Sequence, residues 1–440
     1  MKRRDFMAVL GLAGVNARAW MALAEEMRPP AAGASSDSTW KPSQETGDAL
    51  QWAAQNLATA ITESADFIRR HPFYTDDLNR AAGMTFLSRM LLWALQQKVN
   101  GDADYPFFRV VDFNVRAGGD CPYQRYLMAD LRGGEQYRIW GTRGTQRGLD
   151  AQVYAGTPWK SGTGRSASVL TMEEMQFNAD GTFEIALSPE RTRGNWLENP
   201  PDGTSVLVRQ IFCDWRNELP GEVHIDRVGY EGRLKPAMTT AEVARRIAAA
   251  AEEFKMECRL WPNFFLERTV KAQPVNTLSP ARDRSAHGGR PGRPMSEGSF
   301  ELADDDALVV TMWPSPATCQ GIQLMDDWMA SLEYANRQTS LTLDQAYLSS
   351  DGAYHFVIAH RDPGVQNWLD TMGLRQGGII IRYDGLRIDQ LPRNRMPVAK
   401  KIKLARLRRA IPKDTPTITP AQRDAAIRER RRHVQRRFNL

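Results

Sequence analysis

The sequence is poor in the residues that metal sites and disulfide-rich scaffolds require. Its 440 residues include four cysteines and six histidines. The cysteines are Cys121, Cys213, Cys258 and Cys319. Because no two of them have the Cys-x-x-Cys spacing typical of structural zinc sites, the sequence predicts no metal site. It leaves open whether these cysteines pair, in any of three connectivities, or remain buried thiols.

Long apolar runs and cofactor motifs are also missing. No stretch approaches the roughly 18 consecutive apolar residues of a transmembrane helix, so no membrane span is predicted. The sequence contains no glycine-rich phosphate loop, no Gly-x-Ser-x-Gly elbow, no His-Glu-x-x-His and no dinucleotide fingerprint. We therefore predict no cofactor, and the question whether the protein is an enzyme stays open.

The first residues indicate a targeting signal. Arg3 and Arg4 precede Asp5 and Phe6, and a weakly apolar run follows, a pattern similar to a twin-arginine export signal. The small-x-small sequence at 22–24 is a candidate cleavage site. We predict a twin-arginine signal peptide and a periplasmic or secreted location, with a basic cytoplasmic leader as the alternative.

Positive charge is concentrated at the C-terminal end of the chain. Residues 393–440 contain 16 Lys and Arg against three acidic residues, whereas the net charge of the whole chain is only +6. Such a basic end can bind lipid headgroups, polysaccharide or nucleic acid. We favour the alternative that it packs on its own acidic body, and the export signal argues against nucleic acid as a partner.

Composition and periodicity divide the chain into segments. Apolar residues recur at helical spacing between 46 and 100 and after the capping box formed by Thr239 and Glu242. Short runs rich in β-branched residues and bounded by turns are typical of strands. The predicted segments are a signal peptide 1–24, a linker 25–44, a helical segment 45–104, a first β-sandwich 105–235, a helix and loop connector 236–298, a second β-sandwich 299–392, and a basic C-terminal arm and helix 393–440.

The two β regions repeat one motif at a near-constant separation of 171 to 173 residues. The matched pairs are Trp140 and Trp313, Gly148 and Gly321, Asp180 and Asp351, Asn195 and Asn367, Trp196 and Trp368, and Arg209 and Arg382. A duplicated β unit with small changes in loop length produces this pattern. The sequence therefore predicts a mainly β fold with α: two tandem jelly-roll-like β-sandwiches, a helical N-terminal segment, an inter-domain helix and a C-terminal helix.

Two stretches carry a family resemblance: DGTFEIALSPERTRGNWLENPPDGTSVLVRQIFCDW and SLTLDQAYLSSDGAYHFVIAHRDPGVQNWLDTMG. They resemble the bacterial domain-of-unknown-function family 1214, with features similar to family 1254, over roughly residues 75–440. The resemblance implies tandem jelly-roll sandwiches with helices between them, sometimes assembled as trimers, and brings no established reaction. One departure is Cys121, which stands where the family pattern leads us to expect Asn.

The repeated residues are candidate ligand-binding residues. They are Asn195, Trp196, Arg209, Asn367, Trp368 and Arg382. A tryptophan ring can stack on a sugar or sterol. In the structural alternative, each tryptophan closes one end of a sandwich, while the asparagine and arginine side chains satisfy loop backbone groups. We favour the structural alternative because two identical active sites are uncommon.

Functional residues are expected where the two copies differ. His360 and Asp362 end the strand that follows the second Asp-Gly turn, and their spacing of two places them on one face as a candidate catalytic pair. His224 and Asp226 have the same spacing. In the alternative, both are ordinary polar pairs at strand ends. The loop acids that paired-carboxylate chemistry would draw on are Glu190, Glu198, Asp202, Asp362 and Asp370.

These patterns lead to one functional expectation and two alternatives. We expect an exported protein that binds or processes a carbohydrate, or another small polar or aromatic ligand, at the loop ends of the sandwiches. One alternative is a hydrolase with a His–carboxylate or paired-carboxylate site. The other is a non-catalytic structural protein that forms homotrimers.

Overall fold

The computed structural model describes residues 46–156, 164–285 and 289–439. The predicted signal peptide 1–24 and linker 25–44 lie outside the described residues. None of the described helices is long and apolar enough to cross a bilayer.

Five α-helices occur in the described residues, and side-chain caps begin three of them. The side chain of Asp76 accepts from the N–H of Asn79, and that of Thr239 accepts from the N–H of Glu242. A reciprocal capping box begins the last helix at Thr419. The helices are α1 (Thr46–Arg70), α2 (Asp77–Lys98), α3 (Thr240–Phe265), α4 (Leu407–Ala410) and α5 (Pro420–Phe438).

Nine strands form the first sandwich. They are β1 (Arg109–Val111), β2 (Gln124–Asp130), β3 (Tyr137–Thr142), β4 (Gly148–Gly156), β5 (Gly164–Thr171), β6 (Thr182–Ser188), β7 (Trp196–Glu198), β8 (Gly203–Ile211) and β9 (Val223–Arg227). One sheet has the order β1-β2-β8-β4-β5 and the other β7-β6-β3-β9. Alternate residues of each strand, such as Ile139, Ile185 and Val208, fill the core between the sheets.

Eight strands form the second sandwich. They are β10 (Met295–Glu301), β11 (Asp306–Met312), β12 (Cys319–Met325), β13 (Ser340–Thr342), β14 (Tyr354–Ala359), β15 (Trp368–Asp370), β16 (Gln376–Asp384) and β17 (Val398–Lys403). The sheets have the orders β10-β16-β12-β13 and β15-β14-β11-β17. Strand β17 lies beyond residue 392, the predicted end of the second sandwich. From its sequence, this segment is assigned to the basic arm because it is rich in lysine.

The two sandwiches have the same strand order, as expected for a duplicated unit. Strands β2, β8, β4 and β5 correspond to β10, β16, β12 and β13, and β7-β6-β3-β9 corresponds to β15-β14-β11-β17. The predicted tandem arrangement and mainly β class are therefore confirmed.

The strand registers correct one detail of the repeat. Trp140 lies opposite Glu184, and Thr311 lies opposite His355. Glu184 and His355 each follow the aspartate of their Asp-Gly turn by four residues. The structural counterpart of Trp140 is therefore Thr311, and its match with Trp313 is a coincidence of spacing.

Helices α1, α2 and α3 pack together on the side of the sandwiches. Their shared core includes Phe86, Phe254 and Trp328, each fully buried. Trp328 comes from the loop after β12, and its indole N–H donates to the carbonyl of Asn79 at 3.0 Å. A Cβ on Gly83 would lie only 2.6 Å from this indole, so α2 requires glycine there.

Two adjacent acids in the same loop are buried. Burial raises the pKa of Asp326 to about 6 and that of Asp327 to about 7, from an ordinary value of 3.8. Asp327 accepts from the side-chain amide of Gln376 at 2.7 Å. Because the folded state keeps these protons to a higher pH than the unfolded chain does, both acids reduce stability progressively as pH rises from about 4 to about 7.

Replacing Asp327 by asparagine is therefore expected to stabilise the protein at pH 8 by about 1–2 kcal/mol and to have little effect at pH 4. Asparagine keeps an oxygen acceptor for Gln376 but has no charge to bury. Chemical denaturation of the variant and the wild type between pH 4 and pH 8 measures the difference. Asp304→Asn, at a side chain 70% exposed, is the control. A stability difference that does not grow with pH would contradict the expectation.

The outward faces of sheets β1-β2-β8-β4-β5 and β10-β16-β12-β13 lie against each other, and we call this interface the seam. Gln323 Nε2 donates across it to the carbonyl of Asp120 at 2.7 Å, and Thr342 Oγ1 donates to the carbonyl of Cys213 at 2.6 Å. A disulfide between Cys213 and Cys319 links the two sandwiches covalently. Residues 46–440 accordingly group as one compact unit.

Helix α5 packs on the chain's own body, as favoured from the sequence. Arg423, Arg430 and Arg437, seven residues apart, are all buried. Arg430 donates to the carbonyls of Tyr334 and Ser340 at 3.1 and 2.9 Å. Arg437 donates to the carbonyl of Pro122 and stacks over Trp215, with its guanidinium carbon 4.6 Å from the ring centre. Backbone carbonyls and acidic side chains of the body both hold the arm, since Arg423 also pairs with Asp362 at 2.8 Å and Lys401 with Asp306 at 2.9 Å.

Candidate functional site

The outward face of sheet β7-β6-β3-β9 in the first sandwich carries polar and aromatic side chains that remain accessible. Trp140 lies between Glu184 and His224, one on each neighbouring strand. Arg138 lies between Ala186 and Asp226, and Trp196 follows beside Ala186. We call this surface the open face and define it by Arg138, Trp140, Glu184, Trp196, His224 and Asp226.

Trp140 is the centre of the open face. It is 39% exposed and is the most accessible tryptophan among the described residues. Its indole N–H donates to Asp226 Oδ2 at 2.6 Å, and its ring lies 4.4 Å from the imidazole of His224 at an angle of 32°. These contacts fix the orientation of the ring and leave part of its apolar surface in contact with solvent.

Charged side chains surround this ring. Arg138 forms ion pairs with Asp226 at 3.2 Å and Glu184 at 3.5 Å, and its guanidinium carbon lies 5.7 Å from the centre of the Trp140 ring. A wide depression of about 390 Å³ lies here, and Asn178 and Glu222 help to line it. Donors and acceptors therefore surround an aromatic surface, an arrangement suited to a small polar ligand.

Trp196, a predicted ligand-binding residue, lies on the same face. Its indole N–H donates to Ser188 Oγ at 3.0 Å and to the carbonyl of Glu190 at 2.9 Å, and Arg191 lies over its ring at 5.3 Å. The neighbouring Asn195 bonds both the N–H and the carbonyl of Gln176, at 2.7 and 2.9 Å. Trp196 is thus partly exposed, whereas Asn195 has the role of holding a loop.

The corresponding face of the second sandwich is covered. Val309 and Val357 replace Arg138 and Ala186 by register, and both pack in a cluster with Leu407 and Ile411 from the C-terminal region. Trp368, the counterpart of Trp196, is only 8% exposed. Among the described residues, therefore, only the first copy presents this face to solvent.

Trp368 and Asn367 have internal contacts. Trp368 donates to the carbonyl of Ala359 at 3.0 Å, and Arg423 of α5 lies over its ring at 5.2 Å. Asn367 bonds the N–H and the carbonyl of Tyr347, both at 2.8 Å. These contacts repeat those of Asn195 and fit the structural alternative for this copy.

The candidate catalytic pair is not brought together. His360 Nδ1 lies 2.6 Å from Thr371 Oγ1, and its Nε2 lies 3.1 Å from the carbonyl oxygen of Leu302. Asp362 instead accepts from Arg423 Nε at 2.8 Å. Both side chains are engaged by other partners because the chain turns at residues 360–364, so the spacing of two no longer places them on one strand face.

Arg209 and Arg382 lie deep in the seam rather than at loop ends. They are 3% and 5% exposed. Arg209 pairs with Asp150 at 2.8 Å and donates to the Tyr154 hydroxyl at 2.9 Å. Arg382 donates to Gln323 and to the carbonyl of Gly119. Because both side chains are buried, we correct the prediction that they bind a ligand at the loop ends of the sandwiches.

The candidate loop acids are dispersed. Asp202 pairs with Arg165 at 2.9 Å on the surface, Asp370 pairs with Arg337 at 2.8 Å, and Asp362 pairs with Arg423. His224 and Asp226 share a face but do not bond each other, since Asp226 binds Trp140 and Arg138. In the described residues, no three His, Cys, Asp or Glu side chains are grouped so that they could hold a metal ion.

Sequence reasoning placed Trp140, Arg138 and Glu184 outside the candidate site. The alternation of residues in β3 could have indicated Arg138 and Trp140. Tyr137 and Ile139 face the core, so Arg138 and Trp140 face outward. A tryptophan on the polar side of an alternating strand marks an exposed aromatic residue.

The fold and the open face define a class: a tandem β-sandwich protein with a helical layer and one accessible aromatic sheet face. Residues 129–212 match the family described as a protein of unknown function, DUF1214. The predicted family resemblance is thereby confirmed for this segment, which contains Trp140, Glu184 and Trp196.

Solved structures include a similar protein. An uncharacterized protein from Burkholderia cenocepacia is 28% identical over 82% of this chain and 99% of its own, with a TM-score of 0.74. A protein from Vibrio parahaemolyticus aligns with 79% of this chain and 100% of its own at 12% identity, with a TM-score of 0.42. No curated protein matches the chain.

Proposed function

We propose that the protein binds a carbohydrate on the open face of its first sandwich, in the periplasm or outside the cell. The observation that carries this proposal is the exposed Trp140 ring, fixed by Asp226 and His224 and surrounded by hydrogen-bonding groups. The C–H face of a sugar ring packs on an indole, while its hydroxyls bond to carboxylate and guanidinium groups at the edge.

The spacing of the two tryptophans favours an oligosaccharide over a single sugar. Trp196 is two strands away from Trp140 and two residues further along the sheet. With ordinary strand dimensions, their Cα atoms are about 12 Å apart. This separation suits a short glycan chain that contacts both rings.

The location rests on two observations. Arg3 and Arg4 lie in a pattern similar to a twin-arginine signal. The Cys213–Cys319 disulfide is typical of proteins in oxidising compartments. The disulfide supports an oxidising compartment, and the arginine pattern supports the twin-arginine pathway as the route to it.

A hydrolase at the same face is the second candidate, because Glu184, Glu222 and Asp226 surround Trp140. We favour binding without turnover because the side chains of Glu184 and Glu222 are 61% and 76% exposed. Hydrolytic sites generally surround their reacting groups more closely and exclude bulk water. The homotrimer implied by the family resemblance remains a prediction.

Replacing Trp140 by alanine is expected to weaken glycan binding about 30-fold, because a central aromatic anchor contributes about 2 kcal/mol. Calorimetric titration with soluble oligosaccharides from cell-wall and storage glycans measures this change. Phe107→Ala, at an apolar side chain 84% exposed outside the open face, is the matched control and should bind normally. Equal affinity of the Trp140 variant and the control would refute the proposed site, and release of reducing sugar would favour the hydrolase.

A further inference from the structure

Helix α5 turns one of its faces away from the body of the protein. Its buried side chains include Arg430, His433 and Arg437. From residue 428 onward, the exposed side chains of the helix lie on the opposite side, because residues three and four positions apart share a helix face. They are Arg428, Arg431, Arg432, Gln435 and Arg436. Four arginines and one glutamine therefore form this surface, which we call the arginine face.

Three of the four arginines have no partner in the part of the chain that the structure describes. The side chains of Arg428, Arg432 and Arg436 form no ion pair and no hydrogen bond there. Arg431 donates only to the uncharged side chain of Asn336, at 2.7 Å. The positive charge of the arginine face is thus not neutralised by the protein itself.

The nearby acids of α5 do not change this conclusion. Glu429 pairs with Arg216 at 2.7 Å, away from the arginine face. Asp424 is exposed one turn before Arg428 but does not pair with it in the described residues. Residues 430–439 contain no acid at all.

Helix α3 treats its surface arginines differently. Arg245 and Arg246 both pair with Glu242, at 2.8 and 2.6 Å, one turn earlier in the helix. Such pairs of opposite charge stabilise a helix. The lack of an acid one turn away from Arg432 and Arg436 is therefore a particular property of α5, not a general habit of this chain.

The spacing of the arginines has a cost that an anionic partner would remove. Arg428, Arg432 and Arg436 follow each other at intervals of four residues and form a row about 12 Å long. Like charges at this spacing repel each other and destabilise a helix. A row of negative charges placed against the arginine face relieves this repulsion.

The other side chains of the arginine face narrow the choice of partner. Between residues 428 and 436, the exposed side chains include no aromatic and no apolar residue. Sugar rings are generally bound by stacking on aromatic side chains, so a polysaccharide is disfavoured here. A guanidinium group bonds a phosphate through two parallel N–H groups, and a cluster of four basic residues on a helix is typical of proteins that bind anionic lipids.

We propose that the arginine face binds an anionic phospholipid surface. Arg428, Arg431, Arg432 and Arg436 bond the headgroup phosphates. Because no apolar side chain of this face enters the bilayer, the contact is electrostatic and reversible. The buried arginines on the other side of α5 join the helix to both sandwiches, so the contact holds the whole protein at the membrane, independently of any ligand on the open face.

Cosedimentation of the full chain with phospholipid vesicles tests this proposal. At low ionic strength, the protein should bind vesicles that contain phosphatidylglycerol and should bind phosphatidylcholine vesicles much more weakly. High salt should release it, because salt screens charges at an exposed surface. Equal binding to the two kinds of vesicle, or no binding to either, would overturn the proposal.

A double variant assigns the binding to the arginine face. Arg432→Gln combined with Arg436→Gln should weaken binding to phosphatidylglycerol vesicles about 30-fold, since each basic residue near an anionic membrane contributes about fivefold. Arg165→Gln combined with Arg268→Gln removes the same charge from exposed positions elsewhere and should bind like the wild type. An equal loss in both variants would mean that only net charge matters, and the arginine face would be refuted.

Two features of the design keep these results interpretable. The same N-terminal segment is present in all three proteins, so its own affinity for lipid cancels in the comparison. Thermal unfolding shows whether each variant is folded, and the single variants Arg428→Gln and Arg165→Gln, with an expected difference of about fivefold, replace any double variant that is not.

Soluble dextran sulfate tests the polysaccharide alternative. It offers a dense row of negative charges without a bilayer. If the protein binds dextran sulfate but not vesicles that contain phosphatidylglycerol, the arginine face recognises an anionic polymer and the proposal is wrong.

Discussion

Replacing both Cys213 and Cys319 by serine is expected to lower the free energy of unfolding by about 4–5 kcal/mol. The two cysteines are 106 residues apart in sequence. A cross-link that closes a loop of this length strongly restricts the unfolded chain, by about 4.7 kcal/mol in the chain-entropy model. Guanidinium chloride denaturation of oxidised wild-type protein and the double variant measures the difference.

Reduction provides the control for this experiment. In dithiothreitol, the wild-type protein should unfold at the same denaturant concentration as the double variant, because neither has the cross-link. If the oxidised wild type and the variant are equally stable, the disulfide contributes nothing to stability and the loop-entropy account fails for this protein.

Replacing Asp150 by alanine is expected to destabilise the protein by about 3–5 kcal/mol. Asp150 is fully buried and pairs with Arg209 and Arg290. Removing it leaves two buried guanidinium groups without their carboxylate, and breaking a buried pair in this way carries a cost of this size. Urea denaturation of the folded variant at pH 7 measures the loss.

A surface carboxylate is the matched comparison for Asp150. Asp202 pairs with Arg165 at 2.9 Å, with both side chains more than half exposed. Asp202→Ala should therefore change stability by no more than about 0.5 kcal/mol. Equal, small effects of the two substitutions would mean that solvent reaches the seam and screens its charges.

The fold was predictable because the repeated residues have local roles. Asn195 and Asn367 each bond the backbone of a residue 19 or 20 positions earlier. The Asp-Gly turns fix the strands that follow them, with Gly181 and Gly352 at positive φ. Such roles depend on short stretches of sequence, so two copies of them reveal two copies of the unit.

The site was not predictable in the same way. The contact of His360 with Leu302 and that of Asp362 with Arg423 join residues about 60 positions apart, so spacing along one strand gave no hint of them. The exposure of Trp140 depends on which sheet face is covered by segments distant in the sequence. Residues Leu407 and Ile411 cover the equivalent face of the second sandwich, and sequence alone does not say which face they cover.

The burial of α5 has a consequence for how the protein folds. Arg437 and Arg430 bond to carbonyls in different sandwiches, Pro122 in the first and Ser340 in the second. Helix α5 can therefore form all of these contacts only after both sandwiches have folded. A substitution that destabilises either sandwich should also loosen this helix.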